Sequence, residues 1–254
     1  MSNIPSELTD AIIDYLHADG YPLTACSTVS KAWLPRTRHH VFGSLRLEPA
    51  TSARFFELID CPLSTISPYI QHLHVTRAYG GGGQTWFKDL LPRLVIFTTL
   101  QSAALTLANF VFLETGLRPI LESCFRLLRH LALHRCRFSS FAQFVDVMCA
   151  CPHLESFTST DLTWNADDAF SKLLRPSRLP YLRTLKLELH GIGAMLNWLR
   201  LGDIVPRVSE LIITLIALDD AEYIAAFVRT LGPSLVHLEI DARSDNIIAS
   251  GSPS

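Results

Sequence analysis

The side chains best suited to chemistry in this chain are its histidines and cysteines. His130-x-x-x-His134, followed by Cys136, has the residue types of a zinc site, and His72-x-His74 and Cys149-x-Cys151 are two further close pairs. Nitrogen and sulfur donors gathered at one point would hold a structural ion or activate a water. The pattern around them argues against that. Leu131 and Leu133 alternate with His130 and His134 in the period of a β-strand, which sets the two histidines about 13 Å apart at ~3.3 Å per residue, too far for one ion. His72 and His74 alternate in the same way with Leu73 and Val75, have no acidic or cysteine neighbour, and read as surface histidines. Cys149 and Cys151 end an apolar helical stripe and read as packing. Gly80-Gly81-Gly82-Gly83 lacks the Gly-Lys-Ser/Thr ending of a phosphate loop. There is no Gly-x-Ser-x-Gly elbow to expose a nucleophile. Asp167-Asp168 and Asp219-Asp220 have the place of acids at helix N-termini, where the dipole favours them. The expectation is a non-enzymatic chain with no cofactor and no metal.

The elements that carry these residues form a repeat. Leu128-x-x-Leu131-x-Leu133-x-x-Cys136-x-Phe138 fits the leucine-rich template Leu-x-x-Leu-x-Leu-x-x-Asn/Cys-x-Leu. Leu182-x-x-Leu185-x-Leu187-x-x-His190-x-Ile192 and Val208-x-x-Leu211-x-Ile213-x-x-Ile216-x-Leu218 fit except at the Asn/Cys position. Weaker copies start at Leu154 and Leu235, and earlier ones surround Leu73 and Leu105. Taking the second template leucine as marker gives positions 73, 105, 131, 157, 185, 211 and 238, a spacing of 26 to 32 residues, with the glycine run inside the longest interval. Between these lie helical patterns: the stripe Phe141, Phe144, Val145, Met148, and the stretch from Ala221 to Leu231, opened by Asp219-Asp220 and closed by Gly232-Pro233. Strand followed by helix, stacked about seven times, predicts a solenoid with a parallel sheet on its concave side.

Strand alternation then assigns the faces. With the leucines inward, His72, His74, Thr106, His130, His134, Ser156, Thr158, Thr160, Lys186, Glu188, Glu210, Ile212, Thr214, His237, Glu239 and Asp241 point outward, rich in histidine and threonine first and acidic last. This face is the expected surface for a target protein. The aromatic pair Trp86-Phe87 after the glycine run reads as the start of a helix lying in the core.

The first 47 residues have a different period. Leu8, Ile12 and Leu16 are spaced by four, with Ile13 beside them, and Pro5 suits a first helical turn. Leu23, Cys26, Val29 and Trp33 continue in a second helix, Pro35 breaks it or starts the next element, and a third short helix covers Arg36 to Phe42. Three short helices are too small to bury a core of their own and need a surface to pack on, in a partner or in the same chain.

Ile4-Pro5-Ser6-Glu7-Leu8, Ile12, Leu16 and Cys26-Ser27-Thr28-Val29-Ser30-Lys31-Ala32-Trp33 resemble an F-box, whose pattern is Leu-Pro-x-Glu-Leu, an Ile, a Leu and then Val-x-x-x-Trp. The resemblance covers roughly residues 3 to 43, with Ile4 in place of Leu. It is especially similar to the F-box-like proteins of mushroom-forming fungi, with Trp33-Leu34-Pro35-Arg36-Thr37-Arg38 continuing their pattern. It implies docking onto a Skp-type adaptor, and through it a cullin-based ubiquitin ligase, by Ile4, Pro5, Leu8, Ile12, Leu16, Val29 and Trp33.

Composition bounds the remainder. The chain has 254 residues, 48% of them hydrophobic and 18% charged, with net charge -2, so it lacks the basic excess of a phosphate-tracking nucleic-acid binder. No segment approaches the ~20 apolar residues of a membrane span, and the N-terminus lacks the features of a signal peptide. The six cysteines form no Cys-x-x-Cys pair and read as small buried hydrophobes of a reducing compartment, cytoplasm or nucleus. The resulting expectation is α/β: an F-box-like helical module at 1–47, a linker or first capping segment at 48–66, about seven degenerate leucine-rich repeats over 67–245, and a tail at 246–254. The corresponding function is an adaptor recruiting a target protein to a ligase; the competing one is a scaffold whose N-terminal helices only cap the solenoid.

Overall fold

The structure, a computed structural model, describes residues 5–16, 20–77, 86–112, 117–164, 178–188, 192–214 and 218–241. Ile4, the glycine run, Asp167-Asp168, His190, Ile216 and the tail lie outside them.

Within the described residues eight strands form one sheet: β1 (Ser44–Leu47), β2 (His72–Thr76), β3 (Ser102–Thr106), β4 (His130–His134), β5 (Ser156–Thr160), β6 (Thr184–Glu188), β7 (Glu210–Thr214) and β8 (His237–Asp241). They pair in chain order and every pairing is parallel. Parallel neighbours need a crossover between them. Helices supply it: α4 (Pro49–Asp60), α5 (Trp86–Leu90), α6 (Leu117–Phe125), α7 (Phe141–Cys149), α8 (Gly193–Arg200) and α9 (Ala221–Leu231). Two positions of each strand point at the helices. Leu73 and Val75, Leu131 and Leu133, Leu185 and Leu187, and Leu211 and Ile213 are all at most 2% exposed. The stripe Phe141, Phe144, Val145 and Met148 closes over them from α7 and is itself buried.

An aromatic chain runs through this core. Phe87 meets Phe110 at 5.1 Å, Phe110 stacks on Phe138 at 4.6 Å, Phe138 meets Phe144 at 5.6 Å, and Phe144 reaches Phe157 and Trp198 at 6.0 and 6.4 Å. Such pairs add ~0.5–1.5 kcal/mol each beyond the area they bury, and these link successive repeats. Trp86 begins α5 and donates its indole N–H to Ser52 Oγ at 3.0 Å, so the Trp86-Phe87 pair lies where a core helix start was expected.

Three details of the repeat differ from the sequence reading. First, Leu105 is not the partner of Leu73 and Leu131. The ladder pairs Ala103 with both, and Leu105 with Val75 and Leu133. Ala103 is small enough to hide from a leucine template, and Leu105-x-Leu107 mimics it two residues later. A slip of two preserves the face, so Thr106 still points outward. Second, Ser44–Leu47 is a strand of the sheet, hydrogen-bonded to β2, rather than the end of the helical module. The spacing of equivalent residues from Leu45 to Leu238 is therefore 28, 30, 28, 26, 28, 26 and 27, more even than the sequence marker gives. Third, the segment read as a linker or first capping segment holds α4, whose Phe56 is buried and whose first turn is set by Pro49 and by Thr51 Oγ1 accepting from Glu48 N–H at 3.3 Å.

Strands β3, β4 and β5 end in the same turn. Leu107, Arg135 and Asp161 have φ of 60°, 53° and 51°, left-handed values that branched and long side chains rarely adopt. Their N–H groups donate to the next strand, at His134, Thr160 and Glu188 O (2.8, 2.7 and 2.9 Å). The residue after each turn dives inward: Ala108, Cys136 and Leu162 are buried. Cys136 fills the template position by donating its thiol to Leu105 O at 3.3 Å, and burial pushes that thiol up to about 12. It is neither a nucleophile nor a ready metal ligand. Asp220, expected to cap α9, makes no such bond. Its Oδ1 accepts from Gly193 N–H at 2.9 Å and ties α8 to α9 across a repeat boundary. Gly193 is required there, since a Cβ would lie 2.6 Å from the Tyr223 ring.

Ahead of β1 in the chain come α1 (Ser6–Tyr15), α2 (Gly20–Val29) and α3 (Leu34–Phe42). Pro5 precedes α1 in an extended conformation rather than entering its first turn, and Pro35 starts α3. Ile13, Leu23, Cys26 and Thr37 are buried and give this tier a small interior. Asp14 fixes α1 to α3: its carboxylate takes a two-pronged contact from Arg36, both arms 2.5 Å, and a third from His40 Nε2 at 2.7 Å. These hydrogen bonds, Arg36 foremost, hold the Asp14 carboxyl well below the usual range. Arg38 bonds Thr65, and Phe42 packs against the repeat core, so α3 is the element that joins the tier to the sheet.

Two predictions arise from this packing. Ser159 takes the place of a leucine between Leu133 and Leu187, is 1% exposed, and its hydroxyl has no hydrogen-bond partner. An orphaned buried hydroxyl costs ~1–3 kcal/mol. Ser159→Ala is expected to raise unfolding stability by about 1 kcal/mol in a denaturant titration with unchanged slope; a loss of stability would mean that the hydroxyl is satisfied. A depressed carboxyl stabilises above its unfolded pKa, ~3.9, and loses that contribution as pH falls through its folded value. Amide protection factors across residues 6–15 should therefore hold from neutral pH down to about 4 and fall below it. In Asp14→Asn they should be low already at pH 7, and equal protection in that variant would discard the clamp.

Candidate binding surfaces

Strand register brings the expected outward residues onto one face. His72, Ser102, His130, Ser156, Thr184, Glu210 and His237 form one cross-strand row, His74, Ala104, Ala132, Thr158, Lys186, Ile212 and Glu239 the second, and Thr76, Thr106, His134, Thr160, Glu188, Thr214 and Asp241 the third. All of them are exposed or half-buried, opposite to the leucines. The face divides by charge. From β2 to β5 the outward positions hold His72, His74, His130 and His134, otherwise Ser, Thr and Ala, and no carboxylate. From β6 to β8 they hold Glu188, Glu210, Glu239 and Asp241 with Lys186 and His237.

Several of these groups are engaged with one another. Lys186 Nζ lies 3.1 Å from Glu210 Oε1, and Thr184 Oγ1 donates to Glu210 Oε2 at 3.1 Å; together they hold the Glu210 carboxyl below its usual range. His237 Nε2 is 3.8 Å from Glu239. His134 Nδ1 meets Thr160 Oγ1 at 3.3 Å. His130 and His134 share a strand and are not brought together, and among the described residues no three His, Cys, Asp or Glu side chains are placed to hold a metal ion.

Two clefts flank this face, and neither was expected from sequence. One, about 550 Å³, lies where the chain enters the strands, with Gln71, Gln101, Arg129 and Glu155 in one row and His153 tilted against Tyr181 in another; Arg129 and Glu155 pair at 2.8 Å. The other, about 410 Å³, lies where the strands end, walled by Thr76, Arg77, Thr106, His134, Arg135 and Thr160. Both are assembled from one or two residues per repeat, a signal invisible in linear sequence until the register is known.

The N-terminal tier presents a third surface. On α1, Leu8 is 57% exposed, Ile12 46% and Tyr15 88%, although Ile13 between them is fully buried. Their spacing of three and four residues puts them on one helical face. Pro5 is exposed at the start of this helix, and Val29 is 62% exposed at the end of α2. Leu16 and Trp33 are half-buried. Tyr15 was not singled out in the sequence, because a tyrosine does not mark an apolar stripe. Among the described residues no helix is long and apolar enough to cross a membrane.

No family model matches the chain, and no curated protein matches it. Among solved structures, an internalin from Listeria monocytogenes is 13% identical with a TM-score of 0.31, the overlap covering 74% of this chain and 54% of the internalin. A Bacteroides fragilis protein of a structural genomics programme is 12% identical with a TM-score of 0.39, covering 78% of this chain and 74% of its own. The chain thus spans about half of the internalin it overlaps. Its own repeat template, its parallel sheet in chain order and its strand-to-helix crossovers give the chain the fold of a leucine-rich-repeat solenoid.

Proposed function

We propose that this chain is a substrate-recruiting adaptor of a cullin-based ubiquitin ligase. Its N-terminal helices dock on a Skp-type adaptor, and the outward face of its sheet holds a target protein. The observation that carries the first half is the outward stripe Leu8, Ile12 and Tyr15 on a helix whose inward face is already satisfied by Ile13. Exposed apolar side chains clustered on one helix are costly in water and favour a partner groove. The F-box-like residues Ile4, Pro5, Leu8, Ile12, Leu16, Val29 and Trp33 supply the identity of that partner, and Pro5, Leu8, Ile12 and Val29 are exposed as a docking surface needs. Six free cysteines agree with residence in the cytoplasm or nucleus, where such ligases operate. No residue set argues for catalysis by this chain, which would act as a binding scaffold.

A second reading is favoured by the clamp of Asp14 on Arg36 and His40. It locks α1 onto α3, as a helical cap for the first repeat requires, and a ligase-independent scaffold would need nothing more. The two readings differ in what the outward stripe does. Pro5→Ala combined with Leu8→Ala is expected to abolish binding to a purified Skp-type adaptor in a pull-down. The variant's unfolding free energy should stay within about 0.5 kcal/mol of the parent, as for exposed positions in general. A wild-type chain that binds no Skp-type adaptor would leave the scaffold reading in its place.

A further inference from the structure

At the edge where the chain enters the strands, four planar side chains stand in line. Gln101 N–H donates to Gln71 O, Arg129 N–H to Gln101 O and Glu155 N–H to Arg129 O, each at 2.8 Å, so these four residues are held one strand spacing apart, ~4.8 Å. Among the described residues no hydrogen bond engages the Gln71 or Gln101 side-chain amides. Arg129 and Glu155 pair with each other at 2.8 Å, so the row carries no net charge. A second row is less polar. Leu127 is 48% exposed and Tyr181 52%, and the Tyr181 ring leans on His153 with centroids 5.7 Å apart. Both rows line the cleft of about 550 Å³.

We propose that this cleft binds a neutral, extended oligosaccharide of β-1,4-linked pyranose rings. A pyranose ring carries hydroxyls around its rim and C–H groups on its faces, so it needs polar partners beside an apolar one. Amide, guanidinium and carboxylate groups each place two hydrogen-bonding atoms in one plane, the geometry that neighbouring hydroxyls match. The two amides both donate and accept, as hydroxyls do. Leu127 and the Tyr181 ring offer apolar surface to the C–H faces, with the Tyr181 hydroxyl as a polar tip. The linkage follows from spacing. One ring of an extended β-1,4 chain advances by about one strand spacing, ~4.8 Å, so successive rings meet successive repeats. An extended peptide presents like-facing side chains only every ~6.6 Å and falls out of step. Neutrality follows from the Arg129–Glu155 pair, since a charged ligand attracted by one member is repelled by the other. The volume exceeds what one ring fills and takes several. This site lies at the edge of the sheet, apart from its outward face, and does not rest on the adaptor reading.

The test uses the full chain and two-dimensional NMR. The probes are cellotetraose, glucose, maltotetraose (the same rings on a curved α-linkage) and the peptide acetyl-Gly-Gln-Gly-Gln-Gly-amide. Cellotetraose should give saturable shifts at the Gln71 and Gln101 side-chain amides and the Arg129 and Glu155 backbone amides. Glucose and maltotetraose should bind at least about tenfold more weakly, since each loses contacts in most repeats. The peptide should give no shifts there. Tyr181→Ala should weaken cellotetraose about fivefold, while Tyr181→Phe, which keeps the ring, should stay within about twofold. Gln101→Leu, which keeps the bulk and removes the amide, should weaken it several-fold. Arg229→Gln, exposed on α9, should leave it unchanged. No shifts with cellotetraose, shifts located elsewhere, or an undiminished Tyr181→Ala would overturn the site. Maltotetraose or glucose binding as tightly would overturn the match of ring to repeat, and the peptide binding as tightly would overturn the assignment to a glycan. These outcomes are read without any ligase component, so they stand apart from the failure of the adaptor reading.

Discussion

Everything in this molecule depends on the inability of a single repeat to cover its own strand. Each strand sends two side chains inward, all apolar except Ser159 of β5, and one crossover helix cannot enclose them. Only the next repeat, brought alongside by parallel hydrogen bonds, finishes the enclosure. Leu131 is shielded between Ala103 and Phe157, and Leu185 between Phe157 and Leu211. The spacing of 26 to 30 residues is what a strand, a turn, a helix and a return loop require, so the repeat length is a consequence of this mutual shielding. The left-handed turns at Leu107, Arg135 and Asp161 show its strength. Ordinary side chains accept an unfavourable backbone because the turn hands its N–H to the next strand and drives the following residue into the core.

The same stacking explains both ends. At the start, β1 would be an uncovered edge without α3, and Phe42 and Leu45 carry the helical tier onto the core there. The tier has enough inward apolar residues for one face of packing, and its remaining apolar stripe on α1 faces out. At the other end, Leu238 and Ile240 of β8 are 44% and 47% exposed although they occupy the inward positions that are buried in β2 to β7, Ser159 included. Leu47 of β1, with a strand on one side only, is 0% exposed, so an edge strand stays dry where other elements cover it.

Function follows from what the stacking leaves outside. Because register is strict, the outward residue at each position of one strand aligns with its equivalents on every other. Single histidines, threonines and acids become rows, and rows become a face with a histidine- and threonine-lined half and an acidic half. Lys186 and Thr184 of β6 both engage Glu210 of β7 in the acidic half, while among the described residues no hydrogen bond or ion pair engages the Arg77 guanidinium or the Thr76 and Thr106 hydroxyls at the other. A solenoid thus converts a linear list into a surface with direction.

By itself the sequence determined the repeat, the inward leucines, the alternation that turns His72, His130 and Glu239 outward, the positions of α7 and α9, and the reading of Cys136 as a packing residue. These are local facts: a period of two or of about 3.6 is written in adjacent residues. Tertiary structure alone decided the rest. Ala103 holds the place that Leu105 seemed to claim, because register is a property of two strands. Ser44–Leu47 is a strand because β2 offers it partners. Asp220 serves Gly193 in the preceding helix instead of its own. Each cleft needed five strands in line before its lining residues, Arg77 and Gln101 among them, came together. Four-residue apolar spacing in α1 was legible from the start, but which of its faces is covered was not: Ile13 turned inward and Leu8 outward once Asp14 had bound Arg36 and His40, residues more than twenty positions away.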